Sequence, residues 1–380
     1  MAGAIGIAAV VVLALLVMFW EWLSGGDSGS TTIRNVALVL AGAAALGLAG
    51  WRSTVADRQS KTAQQGLLNE RYQKGAEMLG SDVLSVRLAG IYALQRLATE
   101  HPGQYHLQVM RLFCAFVRLP TEDQVLESAR TPVRPGSPLG LRQDVESVID
   151  VIGSRDSTSI ALEREADHIL DLRGADLCGG RIFDSDLSGG VFHRANLSGM
   201  YVANTDFRGA SFRDADLSKA QFFDVSFTGA HLSLANLSGA MLQGVELVRM
   251  NLHHVNLSGA NLGGANLSGS ILQYAKLSKA ALDDANLSEA SFLKADLSRS
   301  LLIGADLSGA RVVDTDLTSA NISDANLSGV QFSLGGQQPA NGLTQSQLDQ
   351  ARADPENPPN LLGVLDAETN QQLVWHGRPL

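Results

Sequence analysis

The chain has 380 residues, 45% hydrophobic and 18% charged, a balance that excludes a wholly disordered polypeptide and leaves room for two or three domains. A formal net charge of -10 argues against a general nucleic-acid binder that neutralises phosphates with Lys and Arg. The two cysteines, Cys114 and Cys178, lack C-x-x-C or His-rich spacing, which argues against a disulfide or zinc framework.

Two apolar runs come first. Ala2 to Trp20, "AGAIGIAAVVVLALLVMFW", holds nineteen residues without a charge. At about 1.5 Å per residue it can cross roughly 30 Å of hydrocarbon. No Lys or Arg precedes it, and Glu21-Trp22 stand where a cleavage site would be expected, so it reads as a membrane span rather than a signal peptide. Asn35 to Trp51, bounded by Arg34 and Arg52, reads as the return helix. Its Ala41, Ala45 and Ala49 have small-xxx-small spacing, which suits a packed hairpin or a dimer. Trp20, Trp22 and Trp51 mark the ends. The expectation is a transmembrane hairpin over 1–52, with spans near 2–23 and 33–51. Arg52, Arg58 and Lys61 against Asp57 outweigh the connector's Asp27 and Arg34, so both termini and the bulk of the chain are expected in the cytoplasm.

Residues 53–118 read as a small α-helical segment. Leu84, Leu88, Ile91, Leu94 and Ala98 recur at three-to-four spacing, with Ser81-Asp82 suited to the start and Pro102-Gly103 to the stop. Asp82, Val86, Arg87, Gly90, Ala93, Leu94 and Leu97 form a pattern that resembles a HEAT-type helical hairpin, with Gly90 where an Ala is usual. Residues 119–140 are Pro-rich and read as a loop. Residues 141–169 read as a helical lead-in and N-terminal cap for the repeats that begin at 170. His101, His106 and His168 are dispersed without a ligand pattern.

From Leu172 to Phe332 every fifth residue is large and apolar, thirty-three in a row, and the residue two places earlier is Ala in nineteen cases. On an α-helix such centres rotate by about 140° each, and on a flat strand they alternate faces. They share one interior only if the chain turns by the same angle after every pentad. The centres Leu172, Leu197, Phe222, Leu262, Leu267, Leu297 and Phe332 are therefore expected to fill an axis.

"ADLSGA", "ANLSGA" and "ADLSKA" resemble the pentapeptide-repeat family, and the likeness runs over 170–333. The resemblance implies a right-handed quadrilateral parallel β-helix, one pentad per side. The family includes membrane-anchored bacterial members with helices before the repeats, which residues 1–118 resemble. Pentads centred on numbers ending in 7 are mostly uniform, while those ending in 2 vary, which supports an even number of pentads per coil. Thirty-three pentads then give about eight coils and a rod of roughly 40 Å. Residues 334–380 are expected to close the far end with a helix N-capped by Thr344 and a hairpin turning near Glu368 to Asn370.

The Asp and Asn before the centres (Asp176, Asp186, Asn196, Asn236, Asp306) read as turn formers rather than as paired acids or a calcium ladder. His253-His254 have no ligand partner at a fixed spacing, and no catalytic or phosphate-binding motif occurs. No catalytic, cofactor or metal residue is therefore assigned, and the chain is read as a non-enzyme. With twenty residues per coil, Phe183, Ala203 and Phe223 share an outward column beside Tyr201 and Met241, a candidate docking patch unless the preceding helices cover it. Asp184, Asp224, Asp284 and Asp324 share another column, a candidate acidic strip.

The reading is a membrane-anchored scaffold on the cytoplasmic face of a bacterial inner membrane, with an unidentified protein partner, no direct nucleic acid, and self-association open to it. The alternative is a DNA mimic acting on a topoisomerase or another DNA-binding protein, as some soluble members of the family do. Against it, 170–333 holds seventeen acids and twelve Lys or Arg.

Overall fold

The structure is a computed structural model that describes Val12, Leu15, Leu16, Phe19, Trp20 and residues 30–119, 141–335 and 337–380, with side chains placed from Leu38 onward in the long first helix. The expected first span near 2–23 lies largely outside the described residues, and so does the Pro-rich loop expected over 119–140, but for Leu119. The chain divides into two compact units, Met1–Lys74 and Gly75–Leu380.

The first described helix, α1, runs Ser30–Leu79. Among the described residues one helix, over Leu38–Leu79, is long and apolar enough to cross a membrane by length and composition. Two spans were expected; this one is what the described residues contain. The helix does not stop at the expected boundary of 52. Arg52 to Leu79 contains no proline and is rich in Ala, Gln, Leu and Glu, so the change from apolar to charged composition alters the environment the helix suits, not its backbone.

In the second unit, α2 (Leu84–Glu100) and α3 (Pro102–Arg118) pack together and against α4 (Gln143–Gly153). α2 begins at Leu84, later than Ser81-Asp82 suggested. The Ser81 hydroxyl accepts from the Val83 amide at 3.2 Å, and the Ser81 carbonyl accepts from Arg87 Nη1 at 2.8 Å, so Ser81 serves the approach to the helix. Gly90 has a steric cause: a methyl there would meet Met78 Cβ at 2.8 Å and the Gly75 carbonyl at 2.9 Å. α5 (Ser157–Glu165) is capped by Asp156, whose carboxylate accepts from the Ser159 amide at 2.7 Å.

The coils begin beyond α5. Bridges join residues twenty apart along the rod, from Asp171 with Val191 to Arg311 with Gln331, all parallel, so one coil is four pentads. On one side, three successive coils carry enough extended backbone to form strands: β1 (Arg181–Phe183), β2 (Tyr201–Ala203) and β3 (Gln221–Phe223), paired in parallel in that order. The seven centres named above are buried, as are the small residues between them. The front of the axis is aromatic, with Phe192 stacked on Phe212 at 4.8 Å and Phe207 on Phe227 at 5.7 Å. Behind it the axis is mostly Leu.

Corners are made by backbone. After Leu172 the Ala175 amide returns to the Leu172 carbonyl at 3.2 Å, and Gly174 between them has φ +66°. The same left-handed position recurs on other sides and accepts Asp184, Lys219 or Tyr274 as well as Gly. Where Ser185 and Thr205 hold the small position, their hydroxyls donate to the Phe183 and Ala203 carbonyls at 2.7 and 2.9 Å, and the side ahead of each is a strand.

α4 closes the front coil. The Asp186 amide donates to the Gly153 carbonyl at 2.9 Å, and a methyl on Gly153 would collide with Ser185. At the far end the ladder does not stop at 333. Asn341 bridges Asp316, Arg352 bridges Asn326 and Asn360 bridges Gln331, at offsets longer than twenty, so 340–364 add an irregular last coil. Its insert is the single-turn helix α6 (Gln345–Leu348) with a capping box between Thr344 and Gln347. Leu365 and Gln372 then pair antiparallel around a turn fastened by Asp366, which accepts from the Glu368 and Thr369 amides at 3.0 and 2.7 Å.

Candidate functional site

Most outward positions on the rod are Ser, Gly, Asn or charged residues; large apolar side chains are also exposed singly, as at Leu234, Ile271 and Leu301, but near the front several aromatics stand together. Phe183, Tyr201, Phe223 and Met241 are 47, 37, 39 and 37% exposed. β1, β2 and β3 hold the three aromatics in fixed register, Phe183 opposite Ala203 and Ala203 opposite Phe223. The Tyr201 ring lies 5.6 Å from that of Phe183 and 5.1 Å from that of Phe223. Met241 extends the Tyr201 column by way of Gln221. The backbone beneath is fully engaged: the Tyr201 amide donates to the Gly180 carbonyl and the Gln221 amide to the Met200 carbonyl, at 2.9 and 2.8 Å. The aromatics are thus presented on a wall whose own polar groups are satisfied.

The acidic column is interrupted. Asp184 and Asp224 are separated by Asn204, which donates to Asp184 at 3.1 Å, and Gly244, Gly264 and Gly304 break it further. Asp324 is paired with Arg352 at 2.7 Å and faces Arg378 at 3.5 Å, and its pKa is held below the ordinary carboxylate value by the Arg352 hydrogen bond. All four acids sit at left-handed φ, 48 to 57°, a backbone position that favours Gly, Asn and Asp. The turn requirement explains their residue type.

Asp176, Asp186, Asn196, Asn236 and Asp306 accept from the amide two residues on at 3.0 to 3.2 Å. Several also bond between coils, Asn196 to Asp176 and Asn326 to Asp306 at 2.9 Å. Their oxygens are committed to the backbone.

Two features were invisible in the chain order. On a separate side of the rod, His254 stacks on Tyr274 at 4.8 Å with His253 edge-on, and Lys294 lies 5.6 Å from the Tyr274 centroid. The twenty-residue steps from 254 to 274 to 294 are the signal that could have found it. No such signal exists for the polar groups buried in the helical segment. Glu163 bridges His106 Nε2 at 2.7 Å and Arg155 Nη1 at 2.5 Å, and Asp144 joins Arg87 and Arg142 at 2.5 and 2.6 Å. Burial raises the pKa of both acids, but the hydrogen bonds and nearby charge outweigh it and leave each below the ordinary value. Asp171 is held down to about 2, chiefly by Arg173, and also pairs with Arg118 of α3.

An open cleft of about 620 Å³ lies beside this network, lined by Arg155, Glu163, Arg164, His168, Ser188 and Arg208 among others. Arg155 is bound to Glu163 and Arg208 to Asp206, so the charge there is largely spent within the chain. Burial pushes the Cys114 thiol up to about 11, which leaves it protonated and inert as a nucleophile at neutral pH. Among the described residues no group of three His, Cys, Asp or Glu could hold a metal ion.

The family model described as pentapeptide repeats matches in eight copies within residues 191–333. No curated protein matches the sequence. Among solved structures, the chain is 32% identical to a pentapeptide repeat protein of the Arabidopsis thaliana thylakoid lumen, over 27% of this chain and 69% of that one, with a TM-score of 0.25. It is 25% identical to HetL of Nostoc sp. strain PCC 7120, a pentapeptide repeat protein involved in heterocyst differentiation regulation, over 56% of this chain and 98% of that one, with a TM-score of 0.29. It is 21% identical to QnrB1, a plasmid-mediated fluoroquinolone resistance protein, over 50% and 92% of the two chains, with a TM-score of 0.31.

Proposed function

The chain belongs to the pentapeptide-repeat family, and from that premise we propose that it is a membrane-anchored, non-enzymatic scaffold whose coils present Phe183, Tyr201, Phe223 and Met241 to a protein partner. The observation that carries the reading is the exposure of these four side chains, side by side, on a rigid hydrogen-bonded wall. The apolar part of α1 supports an anchor, and the positive residues after it support a cytoplasmic position for the coils at a bacterial inner membrane.

Mimicry of DNA has less support, because the acidic column is broken by Asn204 and three glycines and Asp324 is neutralised by arginine. Salt-sensitive inhibition of gyrase by the purified chain would restore it.

Proximity labelling in intact cells tests the scaffold reading. The expected result is at least one neighbouring protein that the native chain labels and the Phe183→Ser/Phe223→Ser variant does not. A labelling profile unchanged by the two substitutions would remove the aromatic surface from the proposal.

A further inference from the structure

We infer that the cleft between α5 and the first coils is a binding site for a small phosphate-type dianion. It is separate from the docking surface, since it lies on the side of the rod that carries Ser188 and Arg208 rather than the side of Phe183.

The polar capacity of this cleft is not all used within the chain. Arg155, in the turn between α4 and α5, is fixed along one edge: Nη1 binds Glu163 at 2.5 Å and Nη2 donates to the Asp186 carbonyl at 2.6 Å. Its side chain is 4% exposed, and its Nε has no hydrogen-bond partner. His168, whose amide donates to the Glu163 carbonyl at 2.8 Å, also leaves its ring Nε2 buried and unpaired. Of three such side-chain atoms among the described residues, two belong to residues that line this cleft. Buried polar groups are ordinarily paired, so two exceptions along one cavity call for an occupant.

Charge selects the sign of that occupant. Arg155, Arg164 and Arg208 line the cleft against Glu163 and Asp167, in a chain whose net charge is -10. Both Glu163 oxygens are taken, one by His106 and one by Arg155. Arg164 makes no ion pair among the described residues, and Arg208, 63% exposed, meets Asp206 in open solvent, where such a pair holds weakly. Arg111 of α3 adds positive charge toward His168.

The number of elements involved selects the shape. Donors come from the α4–α5 turn, from α5, from the lead-in at His168 and, through Ser188 and Arg208, from two coils. A tetrahedral anion offers oxygens to several sides at once, whereas a carboxylate offers two in one plane. A cleft of about 620 Å³ takes a phosphorylated small molecule as readily as the bare ion.

The test uses the full chain in mild detergent, titrated calorimetrically with inorganic phosphate, with acetate as control. The expected result is saturable phosphate binding below about 10 mM and acetate binding at least about tenfold weaker. Arg164→Gln and Arg155→Lys, the second keeping a positive charge beside Glu163, should each weaken phosphate about fivefold, once circular dichroism and a thermal melt have shown them folded. Asp167→Asn removes a negative charge at a left-handed φ of 48° that Asn tolerates, and should tighten binding about twofold.

A pH series in sulfate, whose own charge stays constant, isolates His168. Burial holds the His168 pKa below its ordinary value, with Arg111, His106 and Arg155 adding to it and Glu163 opposing. A dianion favours the protonated ring, so sulfate should bind more tightly at about pH 5.5 than at about pH 8, and His168→Gln should remove the difference. Tighter binding of glycerol phosphate than of a short-chain phosphatidic acid would assign a soluble ligand and the reverse a lipid headgroup, and either supports the site. No saturable phosphate binding, equal affinity for acetate, or binding untouched by both arginine variants overturns the inference.

Discussion

In the coils nearly every contact has a copy twenty residues away; in the helices between Leu84 and Glu165 nearly every important contact is made once. The Leu262 amide bonds to the Ala281 carbonyl at 2.7 Å, and Leu242, Leu282 and Leu302 do the same in their own coils. Glu163, by contrast, is the one acid shared by His106 and Arg155, both of which are almost wholly buried. Stability is therefore spread along the rod and concentrated in the segment that closes it. Loss of one rung leaves its neighbours intact, whereas loss of one buried carboxylate leaves a buried arginine without its counterion.

The contrast is broken most severely at Glu163. Glu163→Ala is expected to cost about 4 kcal/mol, because Arg155, 4% exposed, would keep its charge without a counterion. Hydrogen exchange should show the loosening in α3 and α5, with the middle coils protected as before. Equal loosening throughout would mean that helices and coils unfold as one unit.

Next come the axis residues. Leu262→Ala is expected to cost about 3 kcal/mol, with Leu267→Ala and Leu282→Ala within about 1 kcal/mol of it, since all three are fully buried in like surroundings. Chemical denaturation of the three variants checks the uniformity, and a wide spread would contradict it.

Acid sharpens the comparison. Glu163, Asp144 and Asp171 all have folded pKa values below their unfolded ones, so the stability they contribute is fully present above about pH 4.5 and is lost as pH falls through the folded values, about 2 for Asp171. Pepsin at pH 2 to 3 is expected to cut within α3 to α5 before it cuts the middle coils, as gel electrophoresis with mass spectrometry of the fragments would show.

Smaller effects belong to single rungs. Asn256→Ala removes one bond to Asn236 and one from the Ser258 amide, and should cost about 1 kcal/mol in a denaturation midpoint. Lys279→Gly acts at a left-handed φ of 60° and should stabilise by up to about 1 kcal/mol, seen as a small rise in Tm.

Several of these positions could be read from the chain alone. The centres from Leu172 to Phe332 and the turn-forming Asp and Asn were legible because a five-residue period leaves few ways for every large side chain to reach one interior. The outward column of Phe183 and Phe223 came from twenty residues per coil, but its exposure did not, since the preceding helices could have covered it. Gly90 stood out as a departure from pattern, and only the approach of Met78 and the Gly75 carbonyl explains it. His106 was one of several scattered histidines, since its partner Glu163 is 57 residues away with no repeat to link them.

By itself the sequence determined the coil, because its regularity is local: each pentad carries its own centre, small residue and turn, and the ladder arises by repetition. The tertiary structure decided where regularity gives out. It ran α1 through the expected boundary at 52, seated Gly153 against Ser185 at the front, and carried the ladder past 333 into the irregular coil over 340–364. Those outcomes depend on close packing and buried charge between residues far apart in the chain, which no local pattern encodes.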